Sequence, residues 1–356
     1  MTAMKWSIHE LHGSLGEFRE RWDSLNERLW CSNPYFDSRF VEPLLLHFGS
    51  GKEVLCVGRD ADDESMFIAV PRGLGRWALF MPPQAQIAPL LVRDASAIRG
   101  ALGRLGWNAL MIDLLGQDPE CSPVAALASD AAAVASPHAR TIKVQLDGTF
   151  DEYWKSRSAS VRQNVGRRLR RLTEQGVAVR LETVDDVGDM ERVVVAFGEL
   201  ESRGWKAAAG TAVSADNPQG RFYADVMRGF AARRGASAYI LYFGDRLVGI
   251  RLSILSPSML VNLKTTYDEK LSEFSPGRLL LYMSLKSEFE RRRVRAIEFY
   301  TNADANQLAW GTEDRWITNV MMFRSGAVAR AYEVAQRIRR SRLRRTGAAV
   351  QPGAGG

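Results

Sequence analysis

Two strand-like segments, MLVNLKTTY at 259–267 and AIEFY at 296–300, are separated by the helical segment PGRLLLYMSLKSEFERR. A helix joining two strands of one sheet is a crossover, and a crossover makes them parallel neighbours. Hairpins flank this unit. The strands AYILYF and LVGIRLSIL are joined by the turn Gly244-Asp245, and SPS leads on into MLVNLKTTY, so these three run antiparallel. The sheet is therefore mixed, which places the chain in the α/β class as an α+β mixed sheet.

Upstream, FDEYWKSRSASVRQNVGRRLRRLTEQG sets Val161, Val165, Leu169 and Leu172 at helical spacing and stops at Gly176. VAVRLETV then alternates as a strand. Asp185 or Asp186 can cap a helix carrying Val187, Met190, Val194, Phe197 and Leu200. Beyond the loop WKAAAGTAVSADNPQG, Phe222, Val226 and Phe230 mark a third helix. A short helix near Asn306 and the strand ITNVMMF end the pattern.

The first half reads as a worn copy of the second. Trp30, Asn33-Pro34, Phe40 and strand EVLCVG can be laid on Trp205, Asn217-Pro218, Phe222 and strand AYILYF. NALMIDLLG resembles RAIEFYTNA, which sets Asp113 opposite Glu298. The expected organisation is a degenerate unit over 1–145, a second unit of the same fold over 146–330, and a basic, disordered tail over 331–356. A length of 356 residues suits two domains, and 46% hydrophobic with 25% charged residues suits full cores.

The net charge of +7 resides in the tail: from Arg324 to Gly356 there are eight arginines and one glutamate, so residues 1–323 sum to zero. A neutral body is not the footprint of a DNA-binding fold, and no DNA partner is expected. The tail is expected to be solvated, its alternative being contact with an anionic membrane surface. No apolar run reaches the ~20 residues of a spanning helix. The expectation is a cytoplasmic protein with peripheral contact at the inner membrane face. Cys31, Cys56 and Cys121 encode neither a disulfide framework nor a zinc cluster, and no metal is expected. His9, His12, His47 and His138 are the only histidines, so chemistry in the second half runs without imidazole. G-x-S-x-G and G-x-x-x-x-G-K are both missing.

The element order resembles the GNAT acyltransferase superfamily. WKAAAGTA, RFYADVMRGFAARRGASAYIL, LKTTYDEKLSEFSPGRLLL and EFYTNA are similar to the acetyltransferase domain of CelD-type proteins from exopolysaccharide and cellulose loci, relatives of the tandem-unit FemAB peptidyltransferases. The resemblance implies tandem GNAT-like domains, the N-terminal one degenerate, and acyl transfer from acetyl-CoA or another acyl-CoA to an amine or hydroxyl. The acceptor it implies is a small molecule or a glycan- or lipid-linked precursor.

At the turn before the crossover helix, Ser275 can cap, Pro276 opens the helix, Gly277 allows close approach and Arg278 adds charge. Ser275, Gly277, Arg278 and Leu279 are the expected donor contacts, since a helix N-terminus suits a pyrophosphate. Phe274 and Leu279 depart from the superfamily's Q/R-x-x-G-x-G/A loop. Alternation sets Asn262, Lys264 and Thr266 on one strand face. In GNAT folds the two parallel strands splay around the donor, so Lys264, Glu298 and Tyr300 would line one cavity. Glu298 would be the base, with Tyr300 or Lys264 assisting the leaving group; a Lys264–Glu298 ion pair bracing the sheet is the alternative. Trp205, Lys206, Tyr267 and Asp268 are the acceptor-side candidates. The arginine-rich helix with Arg157, Arg162, Arg167, Arg168, Arg170 and Arg171 would suit FemAB-like transfer from aminoacyl-tRNA. A non-catalytic scaffold docked by the basic tail is the third alternative.

Overall fold

The computed structural model describes residues 4–61, 63–203, 213 and 217–345. The N-terminal half runs β1 (Lys5–Glu10), α1 (Arg19–Trp30), α2 (Ser38–Phe48), β2 (Val54–Arg59), β3 (Glu64–Gly73), β4 (Arg76–Leu79), β5 (Leu90–Leu91), α3 (Ile98–Leu105), β6 (Met111–Gln117) and β7 (Ala133–Gln145). The C-terminal half begins with α4 (Phe150–Ser156), α5 (Ala159–Glu174), β8 (Val179–Val184), α6 (Met190–Glu201), α7 (Pro218–Ala231), β9 (Ala236–Phe243) and β10 (Arg246–Leu255). It continues with β11 (Met259–Tyr267), α8 (Pro276–Arg291), β12 (Ala296–Glu298), α9 (Ala305–Leu308), β13 (Glu313–Phe323) and α10 (Gly326–Arg345).

Among the described residues thirteen strands make one sheet, in the order β1-β2-β3-β4-β6-β13-β7-β12-β11-β10-β9-β8, with β5 on β3. The order mirrors itself about the β13–β7 pair. Each half supplies five strands from its own edge inward and then hands its last strand to the other half. In both halves the fourth and fifth strands are parallel, as the crossovers demand: β4 on β6 and β11 on β12. The third pair of each ladder is Ala78 opposite Asp113 and Val261 opposite Glu298, so the two acids occupy equivalent positions. This is a tandem GNAT-like mixed sheet.

One apolar core lies on the face covered by α1, α2, α6 and α7, and holds Trp22, Tyr35, Phe40, Phe197 and Phe222 from both halves. On the opposite face each half keeps its own core, Phe67, Ile98 and Ile112 in one, and Leu279, Phe289 and Ile297 in the other. The matching asparagines also do matching work. Asn33 Oδ1 accepts from Tyr35 N at 3.0 Å and Asn217 Oδ1 from Gly220 N at 2.8 Å, each capping a turn that opens on proline.

Local departures from expectation have local causes. The predicted helix over 150–176 is two helices, because Ser158 turns its side chain onto Val161 N and restarts the chain as α5. The predicted strand over 296–300 stops at Glu298, since Tyr300 takes φ +42°, outside any strand conformation. The basic tail is not disordered from 331: with no proline or glycine after Gly326 until Gly347, α10 continues to Arg345.

Past the parallel pair β4–β6, the N-terminal half is packed shut by its own chain. Gly116 (φ +58°) lies against the 81–88 segment, and a Cβ there would stand 2.5 Å from Met81 Sδ and 3.0 Å from Ile87 Cα. Gly116→Ala should cost about 1–3 kcal/mol, read from chemical denaturation.

Candidate active site

The β11–β12 ladder holds for Met259–Ala296, Leu260–Ile297 and Val261–Glu298, after which β12 ends and β11 runs on alone. A cavity of about 430 Å³ occupies the parting. Asn262, Leu263, Lys264, Thr265 and Tyr267 line it from β11, Gly277, Arg278 and Leu281 from α8, and Phe299 and Thr301 from beyond β12.

A β-bulge decides which β11 side chains face which way. Leu252 pairs with Lys264 but Ser253 with Asn262, so Leu263 is the extra residue and alternation is broken there. The strict polar face of Asn262, Lys264 and Thr266 is thereby corrected. Lys264 turns toward α6 and α7, where its Nζ lies 3.1 Å from Glu201 Oε2 and 5.5 Å from the Tyr223 ring centroid. Asn262 goes the other way, its Oδ1 accepting from Ser253 Oγ at 3.0 Å.

Glu201, at the end of α6, escaped the sequence reading. It is buried, and its Oε2 also accepts from Val213 N at 2.8 Å. Only the register of Lys264 would have pointed to it.

Two groups on the cavity wall lack ordinary partners. Asn262 Nδ2 is buried with no hydrogen-bond acceptor among the described residues. Arg251 donates from Nε to Thr265 Oγ1 at 3.0 Å and from Nη1 to Ser284 Oγ at 3.1 Å; burial pushes its guanidinium down to about 10.

At the outer end stand Arg278 and Arg168. The Arg278 side chain has no ion pair or hydrogen bond among the described residues. Arg168 Nε donates to Ser275 Oγ at 2.7 Å, and burial together with the charges of Arg278 and Arg167 lowers its guanidinium. Arg278 and Arg167 crowd Arg168 with like charge, which suits an anion, while Asp304 on the same cavity lining is turned to capping Gln307 N.

Ser275 occupies the N-cap position of α8 at φ +50°, but its side chain makes no cap because Arg168 holds it. The N–H groups of Arg278 and Leu279 both donate to Ser275 O, at 3.0 and 3.2 Å, so Arg278 meets a ligand with its charge rather than its amide. Leu279 is fully buried in the core. Gly277 is required by Tyr267: a Cβ would stand 2.9 Å from that ring. Tyr267 lines the cavity and is 42% exposed. Asp268 is buried, pairs with Arg246 at 2.6 Å and accepts from Lys270 N, which gives it a structural role in the turn. Trp205 and Lys206 lie outside the described residues.

Glu298 and Tyr300 do not meet Lys264 in the cavity. Glu298 is 1% exposed, with Oε2 3.0 Å from Arg315 Nη2 and Oε1 3.8 Å from Lys143 Nζ. Arg315 also makes a bidentate pair with Asp118 at 2.7 and 2.5 Å. The bracing Lys264–Glu298 pair is thus replaced by two separate ones, Lys264–Glu201 and Arg315–Glu298. Burial raises the Glu298 carboxyl from 4.5 to about 7, Arg315 opposing the shift and Asp118 adding to it. Tyr300 accepts from Asn33 Nδ2 at 3.3 Å and lies 5.3 Å from the Tyr35 ring, so it joins the two halves. These residues belong to the seam where β7 and β13 cross over.

Residues 159–307 match the family model described as an acetyltransferase (GNAT) domain. No curated protein matches the chain. Three solved structures share the fold over nearly the whole chain. A conserved protein of unknown function from Bacteroides thetaiotaomicron is 10% identical at TM-score 0.57, covering 91% of this chain and 99% of its own. FemX is 10% identical at 0.55, covering 88% and 96%. The C-terminal domain of a candidate lysylphosphatidylglycerol synthetase from Agrobacterium fabrum is 14% identical at 0.53, covering 90% and 95%. Residues 159–307 are thus similar to a GNAT acetyltransferase domain, and nearly the whole chain shares its fold with these three structures.

Proposed function

We propose that the cavity between β11 and β12 binds a coenzyme A thioester, acetyl-CoA being the simplest, and that its acyl group passes to an amine or hydroxyl. The observation that carries this reading is the parting of one parallel strand pair after three residues. It leaves Asn262 Nδ2 inside and the Arg278 side chain outside, neither with a hydrogen-bond partner among the described residues. The amide suits a carbonyl of the donor's pantetheine arm, and Arg278 with Arg168 suits its phosphates.

In this arrangement Lys264, on the cavity wall, is the cation assigned to the reacting carbonyl. The acceptor forms the new bond to the acyl carbon, the carbonyl oxygen becomes an oxyanion, and the C–S bond then breaks to release thiolate. The Lys264 ammonium, held by Glu201, stabilises the oxyanion, and the acceptor's proton ends on the thiol. No carboxylate base is invoked, because the carboxyl with suitable base strength, Glu298, is buried in the seam.

Arg278→Ala should weaken binding of acetyl-CoA by roughly 10-fold or more, with a smaller loss for the pantetheine thioester lacking the nucleotide. Calorimetry should also give one site per chain, because the N-terminal parting is filled by residues 81–88. Two equivalent sites, or unchanged affinity in the variant, would sink the donor assignment.

A second reading is favoured by the placement of α5, which carries Arg167, Arg168, Arg170 and Arg171 and reaches the turn at the cavity mouth through Arg168 on Ser275 and Arg171 on Glu273. It is aminoacyl transfer from a charged tRNA, supported in fold by the likeness to FemX. Ribonuclease treatment abolishing activity would select it over the thioester.

A further inference from the structure

Three large apolar side chains stand out at one corner of the N-terminal half: Leu74 is fully exposed, Trp107 is 90% exposed and Leu110 is 39% exposed. They belong to two loops that lock together. Leu110 N donates to Gly75 O at 2.7 Å, and a Cβ on Gly75 would stand 2.3 Å from Asn108 O, so the β3–β4 turn and the α3–β6 loop form one tip. The tip is tied to the basic C-terminal helix. Arg324 Nη1 donates to Trp107 O at 3.0 Å, and Arg324 N donates to Leu110 O at 2.8 Å, two residues before α10 begins.

The charge around the tip has one sign. Arg72 and Arg104 are exposed beside it, and α10 carries seven arginines against Glu333 alone. The nearby acids Asp113 and Asp130 are each held by an arginine, Arg76 and Arg99, at 2.5 Å. Val334 and Ile338 add exposed apolar area one turn apart on α10. An indole and two leucines at a protruding tip, rimmed by guanidiniums, match the two layers of a membrane interface: apolar groups at acyl depth and cations at the headgroups. A nucleic acid would use the arginines and leave the leucines unexplained.

We infer that this corner docks the protein on an anionic lipid surface, with Leu74, Trp107 and Leu110 entering the interface and the arginine-rich α10 lying along it. The contact is made without a spanning segment; among the described residues no helix is long and apolar enough to cross a membrane. It is independent of the donor reading, since the tip lies in the other half from the cavity.

The test is sedimentation of the full chain with vesicles of phosphatidylcholine alone and of phosphatidylcholine with about 30% phosphatidylglycerol. Binding should be at least roughly 10-fold tighter to the anionic vesicles and weaken with salt. The Leu74→Ser/Trp107→Ser variant should lose roughly 10-fold or more of it. Both side chains are exposed, so thermal unfolding and acetyl-CoA affinity should be unchanged, and these are measured alongside. Equal binding to both vesicles overturns the inference. So does full vesicle binding by the double variant, which would leave only arginine electrostatics. Sedimentation velocity showing that the wild type self-associates through the tip, and the variant does not, would make the occupant a second copy and overturn it as well.

Discussion

Lys264→Met is expected to lower turnover by about 10²- to 10³-fold, the range for losing one oxyanion donor, while acetyl-CoA affinity changes little. The loss falls on the transition state because the ammonium meets a charge that develops only there. The substitution also removes one partner of the buried Lys264–Glu201 pair, and breaking a buried pair in that way costs about 3–5 kcal/mol. Lys264→Met/Glu201→Gln removes both charges and should recover most of that stability without recovering turnover. Thiol release measures the first effect and denaturation the second. A folded double variant with wild-type turnover would remove Lys264 from the chemistry.

Arg315→Met should be the most destabilising single change in the seam, by about 3–5 kcal/mol, because Asp118 and Glu298 then share a buried site without their common cation. Against a total stability of ~5–15 kcal/mol, that is enough to leave a measurable unfolded fraction. Glu298→Gln should behave in the opposite way. The carboxyl rises from 4.5 to about 7 on folding, so the folded state binds its proton more tightly than the unfolded one. Its contribution is then fully present below pH 4.5 and is lost as pH rises through 7, a change of about 3 kcal/mol. Glutamine mimics the protonated form, so this variant should match or exceed the wild type at pH 8 and flatten the stability profile between those limits. Urea titrations at about pH 4.5, 6 and 8 read both variants. A Glu298→Gln protein with the wild-type slope would show that the seam does not perturb this carboxyl.

The crossover helix made the parallel pair legible, and local alternation made the hairpins legible, because both depend on short stretches of chain. The equivalence of Asp113 and Glu298 was also readable, since internal likeness preserves register. The bulge at Leu263 was not. Nothing in LVNLKTTY announces an extra residue, yet it moves Lys264 away from Asn262 and toward Glu201. The partners of Glu298 were hidden for a different reason. Lys143 reaches it because β7 pairs with β12, and Arg315 because β13 lies on the other side of β7; strands so remote in sequence meet through topology rather than local pattern. The turn at Ser275 was located correctly as a helix start, while the hydrogen bond from Arg168 that displaces its cap comes from another helix.

The strand order also bears on how the chain is made. Translation finishes β6 at Gln117 and does not reach its final neighbour, β13, until Glu313. At ribosomal rates of about 5–20 residues per second, that edge waits roughly 10–40 s for its partner. Meanwhile β7, at Ala133–Gln145, also waits, because both of its final neighbours, β13 and β12, come later in the chain. The β6-β13-β7 centre of the sheet is thus completed only once β13 has been made, and until then β6 lacks the strand that the other half supplies.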